Sequence, residues 1–519
     1  MALPKCASEN NMKKVLLLLL TLFTFGSGIA QKKSKAPLEQ ELVQFEKLIT
    51  DGLAKYNVPG AAVAVVYKNE VIFAKGFGVR NTQTNEPVTA NSLFAIASNS
   101  KAFTSAALAI CVDRGLVKWD DKVSELLPYF KLYDPWVTEH LTVRDLLSHR
   151  QGFETFAGDL IWYGTTHSRE EVVKRWRYVE PSYEFRTTYG YSNIAFLAAG
   201  LVVEKVSGKS WDEFVKTEIL TPLGMARTNT SIRDFKAGDD IASPHNTVKG
   251  KNIPIEYVNW DNIGPAGSIN SCVNELAQWM RLQLNNGTWN NKEYWNAKRT
   301  YEMWEYNIIK PVSAWQREHM PTRLVNGYGL GWELMDYAGH KVVSHGGGYD
   351  GMISKTVLIP DMNLGFVILT NSNNSLPSAL GFAGLDIFLK PAHQEDFITL
   401  FAPPAEEEEQ IDGVAHKLTE EVVKQVSGTY HSDMYGDVAV KKVGESLTID
   451  FMPTALFKGK LSWLGEGLFE LSWSTQMMLP SGTALFVYNA KGEVEELKIV
   501  VENPDFDFSE LKLKKVLGN

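Results

Sequence analysis

Ser98–Asn99–Ser100–Lys101 sets a hydroxyl three residues before an amine. Residues three apart on a helix share a face, so the two side chains can meet there. A lysine held dry beside other positive charge loses its proton near neutral pH and can take one from a serine, making it a nucleophile. The spacing alone is weak: roughly two Ser-x-x-Lys matches are expected in a chain of this length and composition, and two occur, the second being Ser509–Lys512. Position separates them. Ser98 follows the apolar stretch Leu93 to Ala97 and opens a run whose apolar residues Phe103, Ala106, Ala107, Leu108 and Ile110 recur at helical spacing. The N-terminus of a helix carries partial positive charge and free N–H groups. Both disfavour a protonated lysine, stabilise an alkoxide and offer the Ser98 N–H to an oxyanion. Serine is also a preferred helix cap, so this motif by itself does not decide between nucleophile and cap.

Two further sets of residues have chemical use. Tyr191–Ser192–Asn193 precedes the apolar helix predicted over Ile194 to Val206. A phenol there can pass a proton between nucleophile and leaving group, and an amide can hold a substrate carbonyl. Tyr67–Asn69 and Tyr294–Asn296 share the Tyr-x-Asn spacing, and the first reads as hairpin chemistry. His345–Gly346–Gly347–Gly348 ends a predicted strand. Residues without side chains let a substrate backbone lie close and leave an N–H free to complete an oxyanion hole with that of Ser98. Taken alone, this stretch reads as a glycine-rich turn with a structural histidine. His149, in Leu147–Ser148–His149–Arg150, follows a helical run and reads as buried and hydrogen-bonded. No Gly-x-Ser-x-Gly elbow occurs, which argues against an α/β-hydrolase.

These residues need elements to carry them. Leu42, Phe45, Leu48, Ile49 and Leu53 predict a helix over Leu38 to Tyr56, ended by Pro59 and Gly60. Ala61 to Tyr67 and Val71 to Phe77 predict two strands joined at Lys68–Asn69–Glu70. A mainly helical middle runs from Ser98 to about Asn326. Lys341 to Ser344, Met352 to Ile359 and Leu364 to Thr370 then predict three strands, separated by turns at Gly346 to Gly351 and at Pro360–Asp361. Two strands before a helical insert and three after it predict an α+β domain: a five-stranded antiparallel sheet with a helical subdomain beside it. Pro403 to Gln410, with the run Glu406 to Glu409, reads as a solvated linker. Beyond it, Val438–Val440, Leu447–Phe451, Leu468–Trp473, Ala484–Tyr488 and Leu497–Val501 alternate, predicting a small antiparallel β-barrel.

At 519 residues the chain exceeds one ordinary core, and its net charge of −9 argues against a nucleic-acid partner. Lys13 and Lys14, the apolar run Val15 to Phe25, and Gly28 and Ala30 before Gln31 form a signal-peptide layout, with Met12 as an alternative start. The run is too short to span a bilayer stably, so the expected address is periplasmic or extracellular, with no stable membrane span after cleavage. Cys6 would leave with the signal. Cys111 and Cys272 sit in apolar patterns and read as buried thiols, a disulfide between them staying open. No Cys/His spacing resembles a metal site.

In order and in context, the three motifs resemble the serine β-lactamase/penicillin-binding-protein superfamily. The likeness is closest to its class-C-like branch of β-lactamases, DD-peptidases, D-aminopeptidases and family VIII esterases. Leu146–Leu147–Ser148–His149–Arg150–Gln151–Gly152 is similar to that branch's LLSHxSG stretch. Gly200, Val206–Ser207–Gly208 and Pro222–Leu223–Gly224–Met225 fit its second-motif block, and Tyr328–Gly329–Leu330–Gly331–Trp332 its third. The match runs over roughly Leu38 to Leu389. The resemblance implies Ser98 as the acylated nucleophile, Lys101 and Tyr191 in its proton traffic, Asn193 on the substrate amide and Gly348 as the strand-side oxyanion N–H. His345–Gly346–Gly347 stands where β-lactamases carry Lys-Thr/Ser-Gly, which favours a peptidase or esterase. β-Lactamase or DD-carboxypeptidase activity, or an acylatable sensor without turnover, are the alternatives. The C-terminal domain resembles the lipocalin-like barrel of some of these peptidases. The expected layout is a signal peptide over 1–30, a hydrolase domain over 31–400, a linker over 401–413 and a barrel over 414–519. The expected partner is a small-molecule or peptide substrate, with no cofactor, and homo-oligomer formation stays open.

Overall fold

The computed structural model describes residues 38–403, 416–474, 479–503 and 505–516. The signal-peptide expectation over 1–30, Cys6 and the Glu406–Glu409 run lie outside these residues.

Helix α1 (Glu39–Lys55) leads into strands β1 (Gly60–Tyr67) and β2 (Glu70–Gly78). Lys68 and Asn69, both at positive φ, supply the tight turn between them. Three long helices of the middle segment matter most: α2 (Ser100–Asp113), α3 (Asn193–Ser207) and α4 (Val273–Leu284). The chain then returns to the sheet with β3 (Ile308–Lys310), β4 (Asn326–Tyr328), β5 (Glu333–Tyr337), β6 (His340–Tyr349), β7 (Met352–Ile359) and β8 (Leu364–Thr370), followed by α5 (Leu376–Leu389). The sheet order is β2-β1-β8-β7-β6-β5-β4-β3, so the two ends of the domain meet where β1 pairs with β8.

The α+β architecture is as expected, but the sheet has eight strands rather than five. The additions, β3 to β5, lie at one edge. β3 and β4 have three residues each, too few for alternation to register, and β3 falls inside the stretch expected to be helical. A second correction concerns His345–Gly348. These residues do not end a strand in a glycine turn. β6 runs through them to Tyr349, and the turn is the two-residue Asp350–Gly351. Glycine's low strand propensity is overridden by pairing along the whole length of β7.

α2 and most of α3 are buried on all sides, whereas α1 is amphipathic and buries only Phe45, Ile49 and Gly52. From Ser100 to Cys111, α2 is wholly buried, and its Phe103 stacks on Trp279 of α4 with ring centroids 3.9 Å apart. On the side of α1, Phe45 packs edge-on against Phe366 and Phe388, each at 5.6 Å. Cys111 and Cys272 are buried free thiols.

The C-terminal region is a closed barrel of eight strands in sequence order: β9 (Gly428–Ser432), β10 (Gly436–Val443), β11 (Ser446–Phe451), β12 (Lys458–Gly465), β13 (Leu468–Trp473), β14 (Gly482–Tyr488), β15 (Val494–Val500) and β16 (Leu513–Lys515). Pairing of β9 with β16 closes it. Inward residues such as Tyr430, Phe451, Phe469 and Phe486 fill the core. The barrel is stitched to the helical region. Thr454 Oγ1 donates to the Gly164 carbonyl at 2.7 Å, and the Thr166 N–H donates to the Pro453 carbonyl at 2.9 Å. Tyr163 packs against Phe506, with ring centroids 4.6 Å apart.

Candidate active site

Ser98 lies in a 3₁₀ turn, Ala97–Asn99, that runs into α2. Ala97 has φ 46°, a left-handed conformation that costs an L-residue roughly 1 kcal/mol or more. The turn is held from the sheet: Asn99 Nδ2 donates to Ser354 Oγ at 2.8 Å, and Ser354 Oγ donates to the Ile96 carbonyl at 2.7 Å.

Lys101 is fully buried, and its Nζ donates to Ser98 Oγ at 3.0 Å, to Asn193 Oδ1 at 2.6 Å and to the Ala266 carbonyl at 3.0 Å. An ammonium has three protons and finds three acceptors. As a free amine it keeps two N–H bonds, to Asn193 and Ala266, and its lone pair falls toward Ser98. Burial pushes Lys101 well below the usual lysine range, and the Asp159 carboxylate opposes that shift. Ala266 is brought into place by close packing. At Gly200 of α3 a Cβ would lie 2.2 Å from Pro265 Cγ, so this glycine lets the Gly264–Gly267 segment approach. Thr104 of α2 donates to the Pro265 carbonyl at 2.6 Å.

Tyr191 precedes α3, and its ring centroid lies 4.6 Å from Lys101 Nζ. Burial raises its hydroxyl pKa, and a side-chain interaction with Ser98 pulls the other way. His149 is buried as expected. Its Nδ1 accepts the Ser192 N–H at 3.0 Å and its ring lies 4.2 Å from that of Tyr191, so it supports the tyrosine from behind. Asn193 uses both ends of its amide: Oδ1 accepts from Lys101, and Nδ2 donates to Asp159 Oδ2 at 2.6 Å. One amide proton remains for a substrate.

His345 is buried and contacts the Gly346 carbonyl through Nδ1 at 2.5 Å and Tyr328 Oη through Nε2 at 2.8 Å. A carbonyl only accepts, so Nδ1 carries the proton and the tyrosine donates to Nε2. Burial holds this imidazole down at about 4, hence neutral at physiological pH. It therefore supplies no positive charge at this point of β6.

The three glycines differ in role. A Cβ on Gly347 would lie 2.2 Å from the Ile96 carbonyl oxygen, 2.5 Å from Ser354 Oγ and 3.0 Å from the Ser98 nitrogen. On Gly346 or Gly348 it would meet nothing closer than 3.7 Å. Gly347 therefore seats β6 directly against the Ser98 turn. Two-residue loops close Tyr337 on His340 and Tyr349 on Met352. Antiparallel alternation then sends the N–H groups of Gly346 and Gly348 away from β7, toward the side where β5 has ended opposite Ser344. Gly348 is exposed there. All eight expected site residues thus gather around one point.

A family model described as Beta-lactamase matches residues 45–383, more than half of the chain. The chain belongs to the β-lactamase family. A second model, a domain of unknown function (DUF3471), matches residues 414–515. Among relatives of this β-lactamase family chain, unguisins hydrolase ungD′ of Aspergillus campestris is 31% identical over 354 residues, covering 66% of this chain and 63% of that protein. Protein flp of Staphylococcus aureus strain COL is 25% identical over 339 residues, covering 64% and 63%. The chain thus spans about 63% of the length of these relatives. In fold it is similar to the octameric penicillin-binding protein homologue from Pyrococcus abyssi, with a TM-score of 0.61 and 22% identity over 91% of this chain and 100% of that one. A further structure, SurE, has a TM-score of 0.53 with 19% identity over 92% and 99%.

Sequence reasoning missed the Ala266 carbonyl, Tyr328 and Asp159. A backbone acceptor leaves no signature. Tyr328 stands in a recognisable motif, but nothing local pairs it with His345. Asp159 had a signal, a lone carboxylate inside the apolar stretch Ala157–Ile161, and it is 3% exposed behind Asn193.

Proposed function

We propose that the protein is a serine hydrolase that acts through a Ser98 acyl-enzyme on small amides or esters, as a peptidase for D-residue-containing peptides or an esterase. The observation that carries this reading is the fully buried Lys101 amine 3.0 Å from Ser98 Oγ, with only neutral acceptors as its other partners. Lys101 takes the Ser98 proton with Tyr191 assisting, and Ser98 Oγ bonds to the substrate carbonyl carbon. The N–H groups of Ser98 and Gly348 hold the oxyanion, Tyr191 returns the proton to the leaving group, and water releases the acyl group. The relative ungD′, named a hydrolase, supports hydrolysis over binding without turnover. The absence of lysine at position 345 supports a peptidase or esterase over a β-lactamase. The octameric state of the Pyrococcus abyssi homologue supports a homo-oligomer, which light scattering would measure. The lysine-flanked N-terminus supports export, which cell fractionation would test.

A fluorophosphonate probe is expected to label the wild type and not Ser98→Ala. An unlabelled wild type, or equal labelling of the variant, would overturn the enzyme. Nitrocefin, p-nitrophenyl butyrate and D-aminoacyl p-nitroanilides, run side by side, separate the substrate classes. Dominant nitrocefin hydrolysis would make the protein a β-lactamase.

A further inference from the structure

Behind the nucleophile and its lysine lies a carboxylate that the proposed reaction does not use. Asp159 opens a 3₁₀ turn, Asp159–Ile161, after Gly158 in the left-handed region, and is 3% exposed. Its Oδ2 accepts from Asn193 Nδ2 at 2.6 Å, and Asn193 Oδ1 accepts from Lys101 Nζ at 2.6 Å. The turn is anchored from the barrel, where Glu510 Oε2 accepts the Gly158 N–H at 2.8 Å.

An amide has two ends of opposite hydrogen-bonding sense. An ionised carboxylate accepts only, so in that state Asp159 turns the NH₂ of Asn193 toward itself and the oxygen toward Lys101. With the amide reversed, an NH₂ group would face the lysine, competing for the lone pair that must receive the Ser98 proton. We infer that Asp159 is a positioning residue, which orients the Asn193 amide and so sets how firmly Lys101 holds its proton. The inference rests on Lys101 being the base proposed above.

The electrostatic setting is consistent. The groups facing Lys101 are Asp159, the Tyr191 ring and the imidazoles of His149 and His345. Those facing Asp159 are Lys101, Glu510 and Tyr191. Burial holds the Asp159 carboxyl up at about 7, the Asn193 hydrogen bond and Lys101 lower it, and Glu510 raises it further. When ionised, Asp159 favours the protonated lysine and opposes the effect of burial.

The test is the rate of fluorophosphonate labelling against pH. Asp159→Asn keeps the shape and an acceptor oxygen but removes the charge and frees the amide to flip. Its acid limb is expected to move to lower pH by roughly one unit, because Lys101 loses its stabilising anion. The plateau rate is expected to fall about tenfold as the amide disorders. In a cycle with Asn193→Ala, Asp159→Ala should slow labelling clearly in the parent and by less than about twofold once Asn193 is gone, because it acts through that amide. Asp159→Ser serves in the same cycle where Asp159→Ala does not fold. An unmoved limb in Asp159→Asn, or losses that multiply in the cycle, overturns the inference and leaves Asp159 a merely structural residue. Failure of the wild type to label at Ser98 overturns the nucleophile assignment instead, so the two failures are distinguishable.

Discussion

Replacing Lys101 with methionine is expected to slow acylation of Ser98 by about a thousandfold, the range that a positioned base supplies, and to leave a folded protein. Activity is lost for a geometric reason, since Nζ is the basic group within hydrogen-bond reach of Ser98 Oγ. Folding is retained for an energetic one. An amine in a dry site carries a desolvation cost, seen in its depressed pKa. An apolar chain of similar length avoids that cost, while leaving the Asn193 and Ala266 oxygens short of a donor at about 1–3 kcal/mol each. These terms oppose each other. In the wild type, labelling should rise with pH. Below its pKa Lys101 is protonated and cannot accept the Ser98 proton, and above it the free amine can. The midpoint should lie below the ordinary lysine value of about 10.4. Labelling rates of both proteins across the neutral and alkaline range check this. A methionine variant that keeps a tenth of the rate, or that shows the same pH limb, would remove Lys101 from the role of base.

Gly347→Ala is the second large effect. The added methyl would overlap the Ile96 carbonyl oxygen at 2.2 Å and crowd Ser354 Oγ at 2.5 Å. Both belong to the contact that holds the Ser98 turn against the sheet, where Ser354 of β7 donates to the Ile96 carbonyl. Backbone cannot rotate away as a side chain can, so the strand or the turn must shift. Overpacking of this kind costs about 1–3 kcal/mol, and a displacement near 1 Å at the reacting atoms costs about a hundredfold in rate. Gly346→Ala and Gly348→Ala meet only ordinary contacts and are expected to stay within about 0.5 kcal/mol of the parent. Thermal unfolding of the three variants checks the contrast, and p-nitrophenyl butyrate turnover checks the loss in Gly347→Ala. Equal tolerance at all three positions would refute the reading of Gly347 as the seat of the turn.

Part of this site is legible in the chain. Ser98 and Lys101 stand out because an apolar helix begins at that point, and helical spacing brings residues three apart together without help from the rest of the molecule. The strands over Ala61 to Tyr67 and Leu364 to Thr370 are legible for a similar reason: buried strands read as unbroken apolar runs. The three-residue strands β3 and β4 carry no such pattern: β4 pairs with β5 and β3 with β4, so their place is set by their neighbours and not by their own composition. The glycine run misleads for a related reason. Glycine has no strand preference of its own, and its place in β6 comes from the partner strand β7 and from the carbonyl of Ile96 that it must clear.

Ser98, Lys101 three residues on, and the order of the motifs that follow are properties of the sequence alone. Local periodicity encodes them, and it survives without tertiary contacts. Everything that depends on distant segments meeting in a dry interior came from the fold. It set Ala266 and Asn193 as the other acceptors for Lys101, put Asp159 behind them, made His345 neutral beside Tyr328, and split three adjacent glycines into one steric seat and two open backbone positions. Burial is what depresses the lysine and raises the aspartate, and burial belongs to the fold as a whole rather than to any stretch of residues.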